Sequence, residues 1–483
     1  MILAGALLRL WFAASIGLGV DESYVVAADS GIRLGYFDHP PAVWWLSSLA
    51  AHLAGSTAPV AVRLPFILLF ALSTWLMYRL GAALFSPRAG LFAAVVLNLS
   101  PLFGVAFGTF VLPDGPLDAA LLAASLSLAY ALDARNRAAL WWWLAAGLAM
   151  GLALFSKYNA ILVLAGGFLY LATSKRHRFW LLRPEPWIAV LVAFLVFLPT
   201  LIWNAEHGWI SFAYQGDRAF GHRLHPLAPF IVFGGEALFL LPWIWLPLVL
   251  SACSSLRRGP GEWQGWFLLC LGAPAVLFFS VIAVWAQGRI LFHWAAPGYL
   301  VLFPLLGAAI ERRLQAGARF VRAWLVGTAA FVVLGVVLVA TEVRLDWPVA
   351  LAARFPLGRD PVLQLTDWRA VRSELAARHL LGRPGLVIGT VRWNDAAKIG
   401  YALGSRPPVV VLGPRPHQFG LTHPLQHYRG DNVLVLAPNV GPRRMAASFG
   451  DLFADIDTLP PLTLRQAGRK VLMIPVYLGH DLR

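Results

Sequence analysis

The sequence predicts an all-α polytopic membrane domain followed by a small α/β extramembrane domain. Three observations predict it. Of 483 residues, 59% are hydrophobic and 13% charged, with a mean hydropathy of +0.67, whereas a soluble domain carries roughly a quarter charged residues. The apolar residues gather in runs of about 20, the length that crosses a bilayer as a helix. From about Glu342 the runs stop, charges rise, and short β-branched segments alternate with one or two helical ones.

The first twenty residues have the apolar character of a secretory signal. Arg9 interrupts the run and no clear A-x-A site stands before Asp21, so they read as a retained, short first span. Further spans are expected near 64–84, 89–107, 116–132, 140–155, 159–173, 187–203, 227–250, 264–286, 290–310 and 323–341, about eleven in all. Orientation follows from Lys and Arg in the short loops. With the N-terminus inside, inner loops carry thirteen of these cations, among them Arg88, Lys175, Arg257 and Arg312, and outer loops carry six: Arg33, Arg63, Lys157, Arg218, Arg223 and Arg289. That places residues 21–63, 109–116, 156–159, 204–226 and 287–289 on the outer face, with the tail there too if the span count is odd.

The first outer loop, 21–63, is long. Ser23–Leu34 has helical spacing, and Pro40-Pro41 opens a second helical stretch, Ala42–Leu53, whose Trp44 and Trp45 suit the membrane interface. In the tail, domain 342–483, Asp367–Leu381 reads as a helix with Thr366 or Asp367 as cap and Gly382 as stop. Gly385–Gly389, Pro408–Leu412, Asn432–Leu436 and Lys470–Val476 read as strands, and Asn394–Leu403 as a helix between two of them.

The net charge of +15 would point to nucleic acid in a soluble chain. Here the cations sit in short loops and in the tail, which fits membrane orientation and anionic lipid instead, so no nucleic-acid partner is expected. Cys253 and Cys270 lie in or beside apolar runs without a C-x-x-C; neither a disulfide framework nor a thiolate metal site is inferred.

The unusual polar residues lie in the outer loops. Asp21-Glu22 stands directly after the first span, either a solvated pair or a general base or metal ligand. Asp38-His39, in GYFDHPP, is held extended by the tandem prolines, and both side chains can ligate a divalent ion together with Asp21. Asp114, in LPDGP, is a turn residue or a second acid. Lys157 and Tyr158, in SKYN, offer a snorkelling lysine or a phosphate contact. Arg289 and His293, in GRILFH, lie one helical turn apart, and Arg suits bidentate phosphate recognition. Arg218 and three histidines, His207, His222 and His225, lie in 204–226 without a ligand spacing. Acids and cations converging on one membrane face suit a reaction of a lipid-linked phosphate: cations hold the phosphate and an acid deprotonates an incoming hydroxyl.

An Asp-Glu after the first span, a Y-F-D-H-P-P segment, an acid before the fourth span and an S-K-Y turn together resemble the GT-C glycosyltransferases, in particular the bacterial members similar to protein O-mannosyltransferases and the lipid A aminoarabinose transferase. The likeness covers about residues 1–310. It implies the GT-C fold, a polyprenyl-phosphate sugar donor, and inverting transfer on the periplasmic face of a bacterial inner membrane to a hydroxyl of lipid A, another glycolipid, a glycan or a protein. By position, Asp21 matches the catalytic aspartate of the first loop and Asp114 the second-loop acid. His39 stands where the aminoarabinose enzymes show a basic residue after an acid, and Tyr24 where they place an arginine. The expected catalytic set is Asp21, Asp114 and Glu22. The expected donor contacts are Lys157, Arg289, Tyr36, His39, Tyr158 and Arg218. The expected metal ligands are Asp21, Asp38 and His39, with Mg, Mn or Zn as the ion. A flippase of a lipid-linked sugar is the rival reading. Transporters place polar groups near the bilayer midplane, whereas these acids stand at span ends.

Overall fold

The first apolar run does not reach residue 20. In the structure, a computed structural model, helix α1 (Ile2–Ser15) stops early and α2 (Val20–Ala27) leaves it at 78°. The structure describes all residues except 30, 135–136, 220–223, 287–289, 346–364, 383–385, 405–406 and 467–468. The chain divides into two compact units: Met1–Leu10, Leu34–Val43 and Leu64–Leu334 form the first, and Trp11–Arg33, Trp44–Arg63 and Gly335–Arg483 the second. Two stretches of the first loop thus cluster with the tail.

The helices follow in order: α3 (Ala42–Ala54), α4 (Pro59–Leu84), α5 (Pro87–Leu99), a π-helical turn (Pro101–Phe107), α6 (Asp114–Asp133), α7 (Arg137–Ser156), α8 (Ala160–Thr173), α9 (Pro184–Glu206), α10 (Ile210–Ala219), α11 (Ala228–Leu240), α12 (Pro242–Arg258), α13 (Trp263–Ile282), α14 (Ala296–Gln315) and α15 (Phe320–Leu345). Among the described residues, seven helices are long and apolar enough to cross a membrane, or up to ten if each bent pair is one span. The chain is a multi-pass membrane protein. The expected single spans 2–20, 89–107 and 227–250 are each broken, by 78°, 65° and 114°.

The breaks have local causes. Between α5 and the π-turn, Pro101 supplies no N–H, and Arg9 reaches in from α1. Its Nε donates to the Gly104 carbonyl at 2.7 Å and its Nη2 to Asn98 Oδ1 at 2.9 Å, while Asn98 Nδ2 donates to Thr74 Oγ1 at 3.0 Å. The arginine that interrupts the first run therefore satisfies a carbonyl of the widened turn, in a position where an unpartnered charge is costly. Such π-turns recur near functional sites; this one leads into the loop that presents Asp114. At the α11–α12 break, Leu241 adopts φ 73° ahead of Pro242, a strained conformation for a branched residue.

Close helix contacts in the first unit depend on small residues. A Cβ on Gly147 of α7 would lie 2.3 Å from the Ala189 carbonyl of α9, and one on Gly272 of α13 would lie 2.5 Å from the Gly298 carbonyl of α14. These helices enclose an apolar core that includes Phe103, Phe107, Leu121, Phe267 and Phe303.

In the second unit, a five-stranded mixed sheet has the order β2-β1-β3-β5-β4, with β1 (Leu386–Thr390), β2 (Val409–Val411), β3 (Asn432–Leu436), β4 (Phe453–Gln466) and β5 (Arg469–Leu482). β1 pairs parallel with β2 and β3; β5 pairs antiparallel with β3 and β4. The helix expected at Asn394–Leu403 forms at Trp393–Ala402. β4 was not expected, because Pro460-Pro461 interrupt it. The strand accommodates them at the sheet edge, with a register irregularity between Leu459 and Leu462. The helix expected at Asp367–Leu381 is shorter, Ala370–Ala377; Asp367 accepts from the Arg369 N–H at 2.9 Å, making a turn ahead of the helix rather than a cap. Ser23–Leu34 is helical only to Ala27, because Asp29 turns the chain by accepting from Gly31 N at 3.0 Å, and Gly31 has φ 89°.

Candidate active site

The first unit gathers a polar cluster at helix ends. Asp114 opens α6 after Pro113 and is 2% exposed. The N-terminal peptide dipoles favour a carboxylate there. Lys157 follows the last residue of α7, and its Nζ donates to both Asp114 oxygens, at 2.8 and 3.0 Å. Two side chains expected to act separately, an acid and a phosphate contact, are therefore one buried ion pair. The acid fixes the ammonium, so any anion meeting Lys157 meets a cation already in place.

Asp38 and His39 belong to the same field. Gln215 Nε2 of α10 donates to the Asp38 carbonyl at 2.8 Å, and Ser211 Oγ donates to the Tyr36 carbonyl at 2.8 Å. α10 thereby holds the YFDHPP segment in place. Burial pushes the His39 imidazole below its usual range; Asp38 and Asp114 oppose the shift, while Lys157 and Arg218 add to it. Arg218 lies over the rings of Trp294, at 4.3 Å, and Tyr214, at 5.4 Å, a placement that holds a guanidinium without consuming its donors. His293 lies within the field of Lys157, Asp114, His39 and Arg218. Tyr158 packs between Phe197 and Phe212.

Asp118 was missed. It stands four residues after Asp114 on α6, 1% exposed, and neither carboxylate oxygen has a hydrogen-bond partner among the described residues. The i, i+4 spacing that puts it below Asp114 on one helix face is present in PDGPLD, but a single acid does not break the apolar run that marks a span. Arg289, His222 and Arg223 lie outside the described residues.

Asp21 and Glu22 lie in the second unit, in the first turn of α2. Asp21 is exposed. Glu22 is buried: its Oε1 accepts from Arg63 Nε at 2.7 Å, and its Oε2 from Arg63 Nη2 at 2.6 Å and from Gly19 N at 2.7 Å. Its expected share in catalysis gives way to a structural role, because both oxygens are engaged. The same guanidinium takes the Ala13, Ile16 and Gly17 carbonyls at 3.0, 3.1 and 2.7 Å. It thereby closes the end of α1 and sets the start of α2. Arg63→Met takes the guanidinium away from the buried Glu22 carboxylate and costs about 3–5 kcal/mol; a melting temperature in detergent equal to wild type would contradict this.

Lys398 supports the same turn. It is 3% exposed, and its Nζ donates to the Leu18 and Thr366 carbonyls at 2.7 and 2.9 Å. Burial brings its pKa down to about 8, and a neutral amine still has two hydrogens for the two carbonyls. Since the folded value lies below the unfolded one, the unfolded chain binds the extra proton between about pH 8 and 10.5, and stability from this group rises with pH across that window. The expected gain between pH 7.5 and 9.5 is about 2 kcal/mol, seen as a melting temperature that rises relative to Lys398→Met. Parallel pH profiles for the two proteins would contradict it.

Among the described residues, no three His, Cys, Asp or Glu side chains gather as a metal ligand set. Asp38 and His39 belong to the first unit and Asp21 to the second.

Residues 38–203 match the family described as dolichyl-phosphate-mannose-protein mannosyltransferase. The chain is 26% identical over 291 residues to the lipid A galacturonosyltransferase of Rhizobium johnstonii, covering 58% of each chain. It is 31% identical over 276 residues to an undecaprenyl phosphate-alpha-4-amino-4-deoxy-L-arabinose arabinosyl transferase of Sodalis glossinidius, covering 54% of this chain and 47% of the relative. The matches thus span about half the length of the curated relatives. Among solved structures, ArnT from Cupriavidus metallidurans bound to undecaprenyl phosphate superposes with a TM-score of 0.67 over 99% of this chain and 97% of that one, at 17% identity, which shows a shared fold. The chain resembles the GT-C glycosyltransferases in sequence and has their fold.

Proposed function

We propose that this chain, a membrane protein resembling the GT-C glycosyltransferases, is an inverting transferase that moves a sugar from a polyprenyl-phosphate donor to a hydroxyl acceptor on the periplasmic face of the inner membrane. The observation that carries the reading is the buried Lys157–Asp114 pair with Arg218, His39 and His293 in its field. A buried ionisable cluster at the helix ends of a membrane protein is a functional-site candidate, and pre-oriented cations suit a phosphate that gains charge as it leaves.

In this mechanism Lys157 and Arg218 bind the donor phosphate, with Tyr36, Tyr158 and His39 lining the approach. Asp21 takes the proton from the acceptor hydroxyl. The acceptor oxygen forms its bond to the anomeric carbon from the opposite face, the carbon–oxygen bond to phosphate breaks, and polyprenyl phosphate leaves with the bonding pair. Asp114 holds Lys157 throughout. Fixed cations suffice to stabilise the leaving group.

The relatives named as acting on lipid A or on undecaprenyl-phosphate sugars support a lipid-linked donor and a cell-envelope acceptor. The test is incubation of the purified protein in liposomes with a labelled polyprenyl-phosphate sugar and cell-envelope glycolipids. Label appearing on a new acceptor is the expected result. Intact donor crossing the bilayer with no new product would replace this reading with a flippase.

A further inference from the structure

Helix α2, which carries Asp21, has only eight residues. A helix shorter than roughly 12–15 residues is marginal in isolation, so the direction in which Asp21 points is set by what α2 packs against. Within the second unit, α2 packs against the tail. Gly400, in the tail helix Trp393–Ala402, lies so close that a Cβ there would stand 3.0 Å from Ala27 Cβ. Lys398 of the same helix holds the Leu18 carbonyl just ahead of α2. A third contact lies in mid-helix. Tyr24, about one turn after Asp21 and 3% exposed, accepts a hydrogen bond at its hydroxyl oxygen from the Gln418 N–H at 3.0 Å. Its ring meets Trp393 at 5.2 Å, Trp44 at 5.3 Å, Phe419 at 5.8 Å and His417 at 6.2 Å. His417 has φ 53° and ψ −140°, a region that a residue with a Cβ enters only where its surroundings hold it. Its ring is stacked on Trp393 at 4.6 Å, and its ψ sets the direction of the next peptide N–H, the one that Tyr24 receives. A strained peptide thus aims one donor at one hydroxyl.

We propose that Tyr24 is a positioning residue for transfer: through its hydroxyl the tail turn at 417–418 fixes α2, and with it the angle at which Asp21 meets the acceptor hydroxyl. The assignment rests on the transferase reading above, with Asp21 as base. It gives the tail a part in turnover without requiring it to touch donor or acceptor. Packing among four aromatic rings would be served by phenylalanine as well; the hydroxyl is what binds the strained peptide. A general base works only within hydrogen-bond reach of the proton it takes. A misplacement of about 1 Å can cost about 10²-fold, so a small loosening of α2 is read as lost turnover.

The experiment uses the full chain in liposomes with a labelled polyprenyl-phosphate sugar and cell-envelope glycolipids. Tyr24→Phe keeps the ring and removes the hydroxyl. It is expected to lower kcat about tenfold while KM for the donor stays within about twofold, and polyprenyl phosphate should still bind at wild-type stoichiometry. Amide hydrogen exchange should quicken in residues 20–28 and not in β1 or β3. Tyr477→Phe is the control. The Tyr477 hydroxyl of β5 donates to the Val440 carbonyl in the loop after β3 at 2.7 Å, so its loss should lower the melting temperature comparably and leave kcat at the wild-type value. An unchanged kcat in Tyr24→Phe, an equal loss of kcat in Tyr477→Phe, a raised donor KM, or α2 exchange equal to wild type overturns the proposal. Asp21→Asn reports the transferase reading separately. Normal turnover in that variant removes the base and the proposal with it, whereas an inactive Asp21→Asn beside a fully active Tyr24→Phe overturns only the role given to Tyr24.

Discussion

Asp21→Asn abolishes sugar transfer and leaves the protein folded. Loss of a positioned general base lowers turnover by about 10²- to 10⁴-fold, and the variant should show no acceptor product above background. Stability should change little. Asp21 is exposed, while the neighbouring Glu22 carries the structural load through Arg63 and Gly19. As an acid in the first turn of α2, Asp21 adds an N-terminal charge worth about 0.3–1 kcal/mol. The two acids, adjacent in sequence, thus separate cleanly. Glu22→Gln should lower the melting temperature more than Asp21→Asn, because it weakens a buried guanidinium–carboxylate pair. Near-normal turnover in Asp21→Asn would remove the base from the mechanism.

Breaking the Lys157–Asp114 pair has the second large effect. Lys157 is 7% exposed and Asp114 2%. Asp114→Leu strands a buried ammonium, and Lys157→Met strands a buried carboxylate one turn above Asp118; either costs about 3–5 kcal/mol. The double variant removes both charges and should regain most of that stability, a coupling that a double-mutant cycle measures directly. It should not regain transfer. Lys157→Met, alone or combined, should raise KM for the polyprenyl-phosphate donor and lower kcat, because the cation is needed both to bind the phosphate and to stabilise it as it leaves. Additive stability losses, or transfer restored in the double variant, would contradict a pair whose purpose is to hold the cation ready.

Much of this was legible in the sequence, for physical reasons that differ by residue. The apolar helices were readable because run length alone decides whether a helix crosses a bilayer. Their bends were not: the one before Asp114 depends on Arg9 meeting the Gly104 carbonyl, and the one after Ser15 on Arg63 collecting three carbonyls. These are contacts between residues dozens of positions apart. Arg63 was counted as an outer-loop cation when it is the buried partner of Glu22. Lys157 and Asp114 stand out in the sequence as charges among apolar runs, but their pairing is a tertiary fact. Asp118 lay in plain view one helical turn from Asp114 and was absorbed into an apolar run. In the tail, β1 and β3 announced themselves by β-branched runs, while Pro460-Pro461 concealed β4, which tolerates them only because it lies at the sheet edge.

The measurement that bears most directly on the central claim is the anomeric configuration of the product. A purified polyprenyl-phosphate sugar of known configuration, carbon-13 labelled at the anomeric carbon, is supplied with acceptor glycolipid, and the product is read by nuclear magnetic resonance. A single displacement by an acceptor oxygen activated at Asp21 predicts one new glycosidic bond of inverted configuration, with one equivalent of polyprenyl phosphate released. Retained configuration, or a donor recovered unchanged while acceptor and protein are intact, would contradict it.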